Sequence, residues 1–579
     1  MLLQRLCEYA ERQLALPPQG YQEQPIRYVL RLNAAGQFPE LADTSDPATP
    51  RQKRGTSRLA PALNRTSGVS AKLLADKSSY ALGPAPGSEP TRRQLAEHAA
   101  FVELVGACAR ATGNPDVAVI HEFLTRGGPA TVPLPADFAP GEQIIYCVEG
   151  RFPTDAPDVR AFWAARQFAD AGAEMPCIAC GNRRPALEGH PVTIKRVPGG
   201  QTSGNYLISA NAKAFESYGL ERSLIAPTCA SCAEKYATAL NALLVDDASR
   251  VRVGNTAYVF WTAEPSGFQP ARLLTAPDQE EVAELMRSHV TGRVGATDID
   301  EMAFYALGLS GSGARIAIRT WIDATVGAAQ RRLARYFALQ AIEDAWGEPA
   351  PSLPLRFLTG ATVRDPLKDD PPAAIADALV GLALAGEPLP DFVLARVAQR
   401  CRASQGVTRE RAALIKMALG SRDHWSDERT QSMSGLDASN HDPAYLCGRL
   451  LAELNEIQRQ ALGKTNATVI DKFYGSASSA PASVFGNLLD NAQNHLSKLR
   501  KARATEAAAN ALDARLMEIL DELPEFPRTL TMPEQAMFAL GFYHQRAADR
   551  RAARERREAR DAAGEPDAAD EAVSDDHAA

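Results

Sequence analysis

MPCIACGNRR (residues 175–184) and APTCASCAEKY (residues 226–236) hold two Cys-x-x-Cys pairs, Cys177/Cys180 and Cys229/Cys232, separated by roughly fifty residues. Each pair can turn two thiolates toward one ion, and two pairs complete a closed tetrahedral sulfur shell. The spacing therefore predicts a structural Zn²⁺ site that closes the base of an inserted module. Four thiolates leave no open position for a reactive water, so the ion would hold the intervening chain and take no part in catalysis.

That intervening chain reads HPVTIKRVPGGQTSGNYLISANAKAFESYG (residues 190–219). Lys195 and Arg196 lead into a small polar loop, Gly199-Gly200-Gln201-Thr202-Ser203-Gly204-Asn205, and residues 206–209 have strand character. Glycine permits close backbone approach, and Gln, Thr, Ser and Asn supply donors and acceptors for phosphates or base edges. The same residue types equally suit an ordinary hairpin loop.

With 579 residues, 45% of them hydrophobic, the chain has room for two to four domains with sizeable cores. A net charge of −7 argues against coating nucleic acid by bulk charge, while leaving room for local basic patches. The irregular spacing of Cys7, Cys108, Cys147, Cys401 and Cys447 does not suggest a disulfide framework. No apolar run reaches membrane-spanning length, and residues 1–18 read as an amphipathic helix instead of a secretory leader, so a cytoplasmic protein is expected.

In chain order, residues 26–32 have strand chemistry and residues 91–112 an amphipathic helical pattern. Residues 143–150 read as a strand and 159–169 as a helix. Between the strand at 26–32 and the helix at 91–112 lies a loop rich in Pro, Ser, Thr and cations, including Arg51, Lys53, Arg54, Arg58, Arg65, Lys72 and Lys77. It is a candidate phosphate-binding strip, or simply a solvated surface loop. Residues 250–262 read as a hairpin around Gly254-Asn255. A helix is expected at 278–288, a strand at 314–321 and a long helix at 326–346. Beyond the proline-rich residues 347–354 strand signals vanish. Helical patterns follow at 373–385, 391–402 and 408–419, then a coherent bundle whose last helix starts at a Thr531/Glu534 capping box. The expected fold is thus an α+β N-terminal region with an inserted zinc-knuckle module, followed by an all-α C-terminal helical bundle. The expected divisions are 1–170, 171–262, 263–346, 347–432, 433–548 and a charged tail, 549–579, whose Arg-rich start reads as a solvated, self-paired helix.

No G-x-x-x-x-G-K-[ST], G-x-S-x-G or H-E-x-x-H motif occurs, and the nine histidines are scattered. These observations favour a protein without catalytic activity of its own. A stand-alone zinc-ribbon nuclease and a zinc-stabilised scaffold are the alternatives.

Several stretches nevertheless resemble one family: LPPQGYQEQPIRYVLRLNAAG (16–36), RTSGVSAKLLADKSSYALG (65–83), GGQTSGNYLISANAKAFESYG (199–219), the run from DPAYLCGRLLAELNEIQRQALG to NAQNHLSKL (442–499), and LTMPEQAMFALGFYHQR (530–546). In order and content they resemble the large subunit of the type I-C CRISPR interference complex, Cascade, of the Csd-type family. The resemblance implies a non-enzymatic subunit that recognises a short protospacer-adjacent motif in double-stranded target DNA and promotes duplex opening. The implied partners are the crRNA, the backbone and handle-binding subunits, a separately translated small subunit and a helicase-nuclease. Carried over residue by residue, Arg65, Thr66, Ser67, Gly68 and Lys72 match the family's first polar loop, and Gln201, Ser203, Gly204 and Asn205 lie in its second. The contacts expected from this are Lys72 and Lys77 on phosphate, and Gln201 or Asn205, beside Thr202 and Ser203, at a base edge. The last bundle resembles the family's small subunit, with Lys498, Arg500, Lys501 and Arg503 as candidate DNA contacts or as solubilising charges. Met433, with Met417 behind it, is the candidate internal start.

Overall fold

The computed structural model describes residues 1–46, 54–63, 68–84, 90–136, 138–139, 141–167, 173–210, 212–291, 297–422, 432–463 and 465–563. The chain divides into two compact units. One comprises Met1–Arg196, Gln201–Ala242 and Gly313–Ile316, and the other Val197–Gly200, Leu243–Ser312 and Ala317–Ala579.

In the first unit the expected strand at 26–32 is two strands, β1 (Tyr21–Ile26) and β2 (Tyr28–Leu32), followed by β3 (Glu40–Asp43), β4 (Thr56–Pro61), β5 (Ala75–Lys77) and β6 (Gln143–Val148). β1 pairs with β4, and a four-stranded sheet runs β3-β2-β6-β5. β2 and β6 lie parallel, with Leu30 opposite Tyr146. Ile144, Tyr146 and Val148 of β6 enter one apolar cluster, and Ile145 and Cys147 enter another. A strand covered on both faces needs apolar residues at every position, which explains the run IIYCV.

The helix Arg92–Thr112 starts at a Thr91/Gln94 capping box and ends at Gly113, whose φ of 64° is the left-handed conformation that glycine adopts without strain. Asn114 immediately caps a second helix, Pro115–Thr125, accepting from the amides of Asp116 and Val117. This second helix was not expected from the sequence; its local signal is Asn114 as cap followed by Pro115 at the first helical position. Pro157–Gln167 forms the next helix. β7 (Glu174–Pro176) and β8 (Arg183–Pro185) then form the short ladder that carries the first cysteine pair.

The second unit contains an antiparallel sheet ordered β12-β11-β10-β9, built from β9 (Arg250–Val253), β10 (Thr256–Thr262), β11 (Ala303–Ser312) and β12 (Arg315–Thr325), the last with its main part from Ala317 onward in this unit. The Gly254-Asn255 turn joins β9 to β10 as expected. β11 (AFYALGLSGS) was not expected, since its small residues carry little strand propensity, yet Phe304 to Ser310 are all buried. Gly311 and Ser312 end β11, and Gly313-Ala314 turn the chain into β12.

Two expectations are corrected here. Residues 206–209 form no strand, only a single bridge from Tyr206 to Arg315. The helix Val326–Gln340 stops six residues short of Trp346, because Ala341 turns extended and the chain bends back through Asp344, whose carboxylate accepts from the amides of Trp346 and Glu348. The pattern at 373–385 resolves into a helix, Ala373–Val380, and a wide π turn, Gly381–Ala385.

Helices Asp391–Ser404, Arg409–Gly420, Pro443–Leu462, Val469–Ala477, Phe485–Arg500, Arg503–Asp521 and Met532–Ala563 complete this unit around one continuous apolar cluster. The helices Pro443–Leu462 and Met532–Ala563 meet at two glycines. A Cβ on Gly448 would lie 2.0 Å from the Phe538 carbonyl oxygen, and one on Gly541 would lie 2.1 Å from that of Tyr445. Only the bare backbone fits there. The helix from Met532 continues through the Arg-rich stretch to Ala563. Besides its own i,i+4 pair between Arg554 and Glu558, this stretch holds residues 343–348: Arg551 pairs with Glu343 at 3.2 Å and Arg554 with Glu348. Among the described residues no helix is long and apolar enough to cross a membrane.

Candidate metal centre and nucleic-acid contacts

The first cysteine pair sits on a tight turn. The Gly181 amide donates to the Cys177 carbonyl at 2.8 Å, and the Cys177 amide to that of Asn182 at 2.9 Å. Gly181, at φ 75°, makes the reversal. The second pair is delivered by the helix Ala230–Val245, whose first turn starts beside Cys229 and contains Cys232. Two backbone contacts bring the pairs together: the Ile178 amide donates to the Pro227 carbonyl at 2.9 Å, and the Leu187 amide to that of Thr228 at 3.0 Å. The four Sγ atoms of Cys177, Cys180, Cys229 and Cys232 lie within 4.8 Å of one another, and the Cys229 amide donates to Cys177 Sγ at 3.4 Å.

These residues fit a metal ion. Sulfur atoms about 2.3 Å from a common tetrahedral centre stand somewhat under 4 Å apart. Cys177, Cys229 and Cys232 are buried while Cys180 is exposed. Without an ion, the hydrogen bond that the Cys229 thiol donates to Cys232, and then burial, push that thiol far above its ordinary range. A central cation reverses that penalty by making the thiolate the favoured form. The helix N-terminus beside Cys229 adds positive potential. Cys7, one of the scattered cysteines, also belongs to this neighbourhood, its thiol donating to the Cys232 carbonyl at 3.6 Å. Lys235 on the same helix pairs with Glu11 at 2.6 Å. Spacing could not reveal Cys7, because its position depends on how the N-terminal helix docks.

Between the cysteine pairs the second polar loop is locked from inside. Ile194 and Asn205 exchange two backbone hydrogen bonds of 2.8 Å. Asn205 is fully buried, and its Oδ1 accepts from the Gln201 amide at 3.0 Å while the Gly204 amide donates to the Gln201 carbonyl at 3.1 Å. Gly204 has φ 111°, and a Cβ there would lie 2.5 Å from that of Thr193. Gln201, Thr202 and Ser203 are left exposed at the tip. Asn205 is thus the brace, and Gln201 is the amide available at the surface. Lys195 and Arg196 are exposed on the approach, and Arg196 holds an unusual φ of 62°. Asn241 secures this approach, accepting from the Lys195 amide and donating to the Thr193 carbonyl, both at 2.9 Å.

The other expected contacts are dispersed. Arg65, Thr66 and Ser67 lie outside the described residues. Lys72 is 5% exposed and its Nζ donates to Gln24 at 2.7 Å and Gln143 at 3.0 Å, so it braces the sheet edge. Lys77 is exposed. Lys498 donates to the Ala461 carbonyl at 2.9 Å, Arg500 pairs with Asp513, and Lys501 is exposed. Met417 and Met433 are both buried.

The resemblance noted in the sequence has an independent counterpart. No curated protein matches the chain. A family model described as CRISPR-associated protein (Cas_Csd1) matches residues 4–549. That span covers both cysteine pairs, the braced polar loop and the C-terminal helices, and the chain belongs to the Csd1 family of CRISPR-associated proteins.

Proposed function

We propose that this chain is the non-catalytic large subunit of a crRNA-guided type I-C surveillance complex. In this reading it recognises the protospacer-adjacent motif in double-stranded DNA, helps open the duplex and supports recruitment of a helicase-nuclease. Base pairing with the crRNA reads most of the target, so the protein needs only a short-motif reader and backbone contacts. Family membership supports the setting. The observation that carries the reader role is the Gln201–Thr202–Ser203 tip, three exposed polar side chains on a loop fixed by a buried asparagine and footed on four clustered cysteines. A rigid polar tip loses little entropy on meeting a base edge. Structural Zn²⁺ at Cys177, Cys180, Cys229 and Cys232 keeps that foot closed. Lys77, Lys195 and Arg196 serve as phosphate contacts. The helices from Pro443 onward serve as the small-subunit-like part, and the same message also yields a separate small subunit starting at Met433, or at Met417. An intact-mass measurement on the purified complex decides between the two starts.

The test uses the assembled complex on a library of target duplexes that differ only in the flanking motif. Gln201→Ala is expected to relax motif preference by about 1–3 kcal/mol between best and worst motif. Lys77→Ala with Lys195→Ala is expected to weaken all targets alike and to make the salt dependence shallower. Unchanged preference and unchanged affinity in both variants would overturn the reading.

A further inference from the structure

The corner between the helices Asp391–Ser404 and Arg409–Gly420 gathers four arginines that no sequence motif marks. Arg396 Nε donates to the Thr362 carbonyl at 3.1 Å and Arg411 Nε to the neighbouring Ala361 carbonyl at 3.3 Å, so both guanidinium groups are pinned on one loop. That loop carries Arg364, which is exposed. Arg400 lies one helical turn beyond Arg396 on the same face, half-buried, and its Nε is buried without a hydrogen-bond partner. Burial and then the like charges of Arg411, Arg396 and Arg364 lower the pKa of Arg400, against a smaller opposing effect of Cys401.

Three carboxylates flanking these segments, Asp365, Asp391 and Asp471, are engaged elsewhere. Asp365 pairs with Lys368 at 3.2 Å and Asp391 with Arg422 at 2.6 Å, while Asp471 caps the Thr468 amide and hydroxyl at 2.8 Å. Among the described residues none of the four arginines joins an ion pair. Like charges at i,i+4 on a helix destabilise it, and here two more cations are added to such a pair. An arrangement of this kind is satisfied by an external anion, and the planar guanidinium fork matches phosphate. Phe392, 46% exposed, precedes Arg396 by one turn and continues the strip with an aromatic face.

We propose that this corner is a phosphodiester-binding site for a single nucleic-acid strand, with phosphates on Arg364, Arg396 and Arg400 and a base stacked on Phe392. Arg411 positions the loop from beneath. The inference rests on the nucleic-acid part of the function proposed above, but on none of the residues assigned there.

The experiment measures binding of the full chain, at graded salt, to three labelled probes: a 30-nucleotide DNA strand, the same sequence as RNA, and the DNA duplex. Arg396→Gln with Arg400→Gln is compared with Arg556→Gln with Arg557→Gln, an equal loss of charge at exposed positions on another helix. The first pair is expected to weaken single-strand binding at least tenfold and to reduce the slope of log K against log salt by about 1.4, while the second changes neither comparably. Phe392→Ala is expected to weaken binding severalfold with the slope retained. Arg396→Lys with Arg400→Lys, which keeps the charge, is expected to preserve the slope and guards against a folding defect. The probe with the larger loss identifies the strand as RNA or DNA. If the wild-type chain binds the probes and both glutamine pairs behave alike, this inference falls and the proposed function stands. If the wild-type chain binds none of them, this inference falls, while the proposed function is judged on the assembled complex.

Discussion

Among the described residues from 173 to 229 the chain contains two strands of three residues and two short 3₁₀ turns. Its buried apolar side chains there are few and small: Ala179, Ala186, Ile194, Val197 and Ala210 beside the cysteines. Residues 443–563, in contrast, run through five helices packed on leucines, phenylalanines and tyrosines. The first region lacks the apolar area to hold a loop still by burial, and it relies on backbone contacts, one buried asparagine and a thiol cluster. The second has area to spare and even buries Glu453, which Arg515 meets at 2.9 Å and Gln545 at 2.9 Å. Order is therefore built in one region by local hydrogen bonds and clustered thiols, and in the other by packing.

The largest effect expected from this contrast follows loss of the metal site. Cys177→Ser with Cys229→Ser, or removal of metal by a chelator, forfeits a binding free energy of about 10 kcal/mol or more in comparable sites. Residues 173–229 should become protease-sensitive while the C-terminal helices keep their unfolding transition. Metal content by mass spectrometry and the map of cleavage sites check this, and a module equally resistant with and without metal would erase the contrast.

Next in size is Gly541→Leu, which forces a side chain into the crossing of Pro443–Leu462 with Met532–Ala563. The cost is expected to be about 3 kcal/mol or more, since backbone on both sides must move. Chemical denaturation should show it, with metal content unaltered.

The smallest effect is a pH dependence. His544 is fully enclosed and bonded through Nδ1 to the Tyr445 hydroxyl at 3.0 Å; burial first, and the charge of Lys416 next, lower its pKa to about 3. Below about pH 6.5 the unfolded chain takes up a proton that the folded chain refuses, so this histidine's contribution to stability is lost as pH falls. His544→Asn should cost about 1 kcal/mol at pH 7.5 through the altered hydrogen bond. The deficit relative to wild type should then shrink by about 1.4 kcal/mol per unit below pH 6.5, because asparagine has no proton to accept. Denaturation midpoints across pH 7.5 to 4.5 measure it, and parallel curves would show that His544 does not titrate this way.

Much of the architecture was legible in the residues. The hairpin at Gly254-Asn255, the Thr531/Glu534 capping contact and the spacing of the C-terminal helices all follow from local chemistry. The clustering of Cys177, Cys180, Cys229 and Cys232 was also legible, because a Cys-x-x-Cys turn is itself a local geometry. What escaped was set by distant neighbours. β11 is a strand because β10 and β12 pair with it, Lys72 is occupied because Gln24 and Gln143 converge on it, and Asn205 faces inward because Ile194 pairs with its backbone.

By itself, then, the sequence determined the family, the helical character of the C-terminal part and which four thiols can share an ion, since each is written in short-range patterns. Tertiary structure decided which polar residues remain available: Gln201 rather than Asn205, Lys77 rather than Lys72, and a corner of arginines drawn from three segments. The reason is that a side chain's exposure and charge environment are sums over everything folded around it, and no local pattern carries that sum.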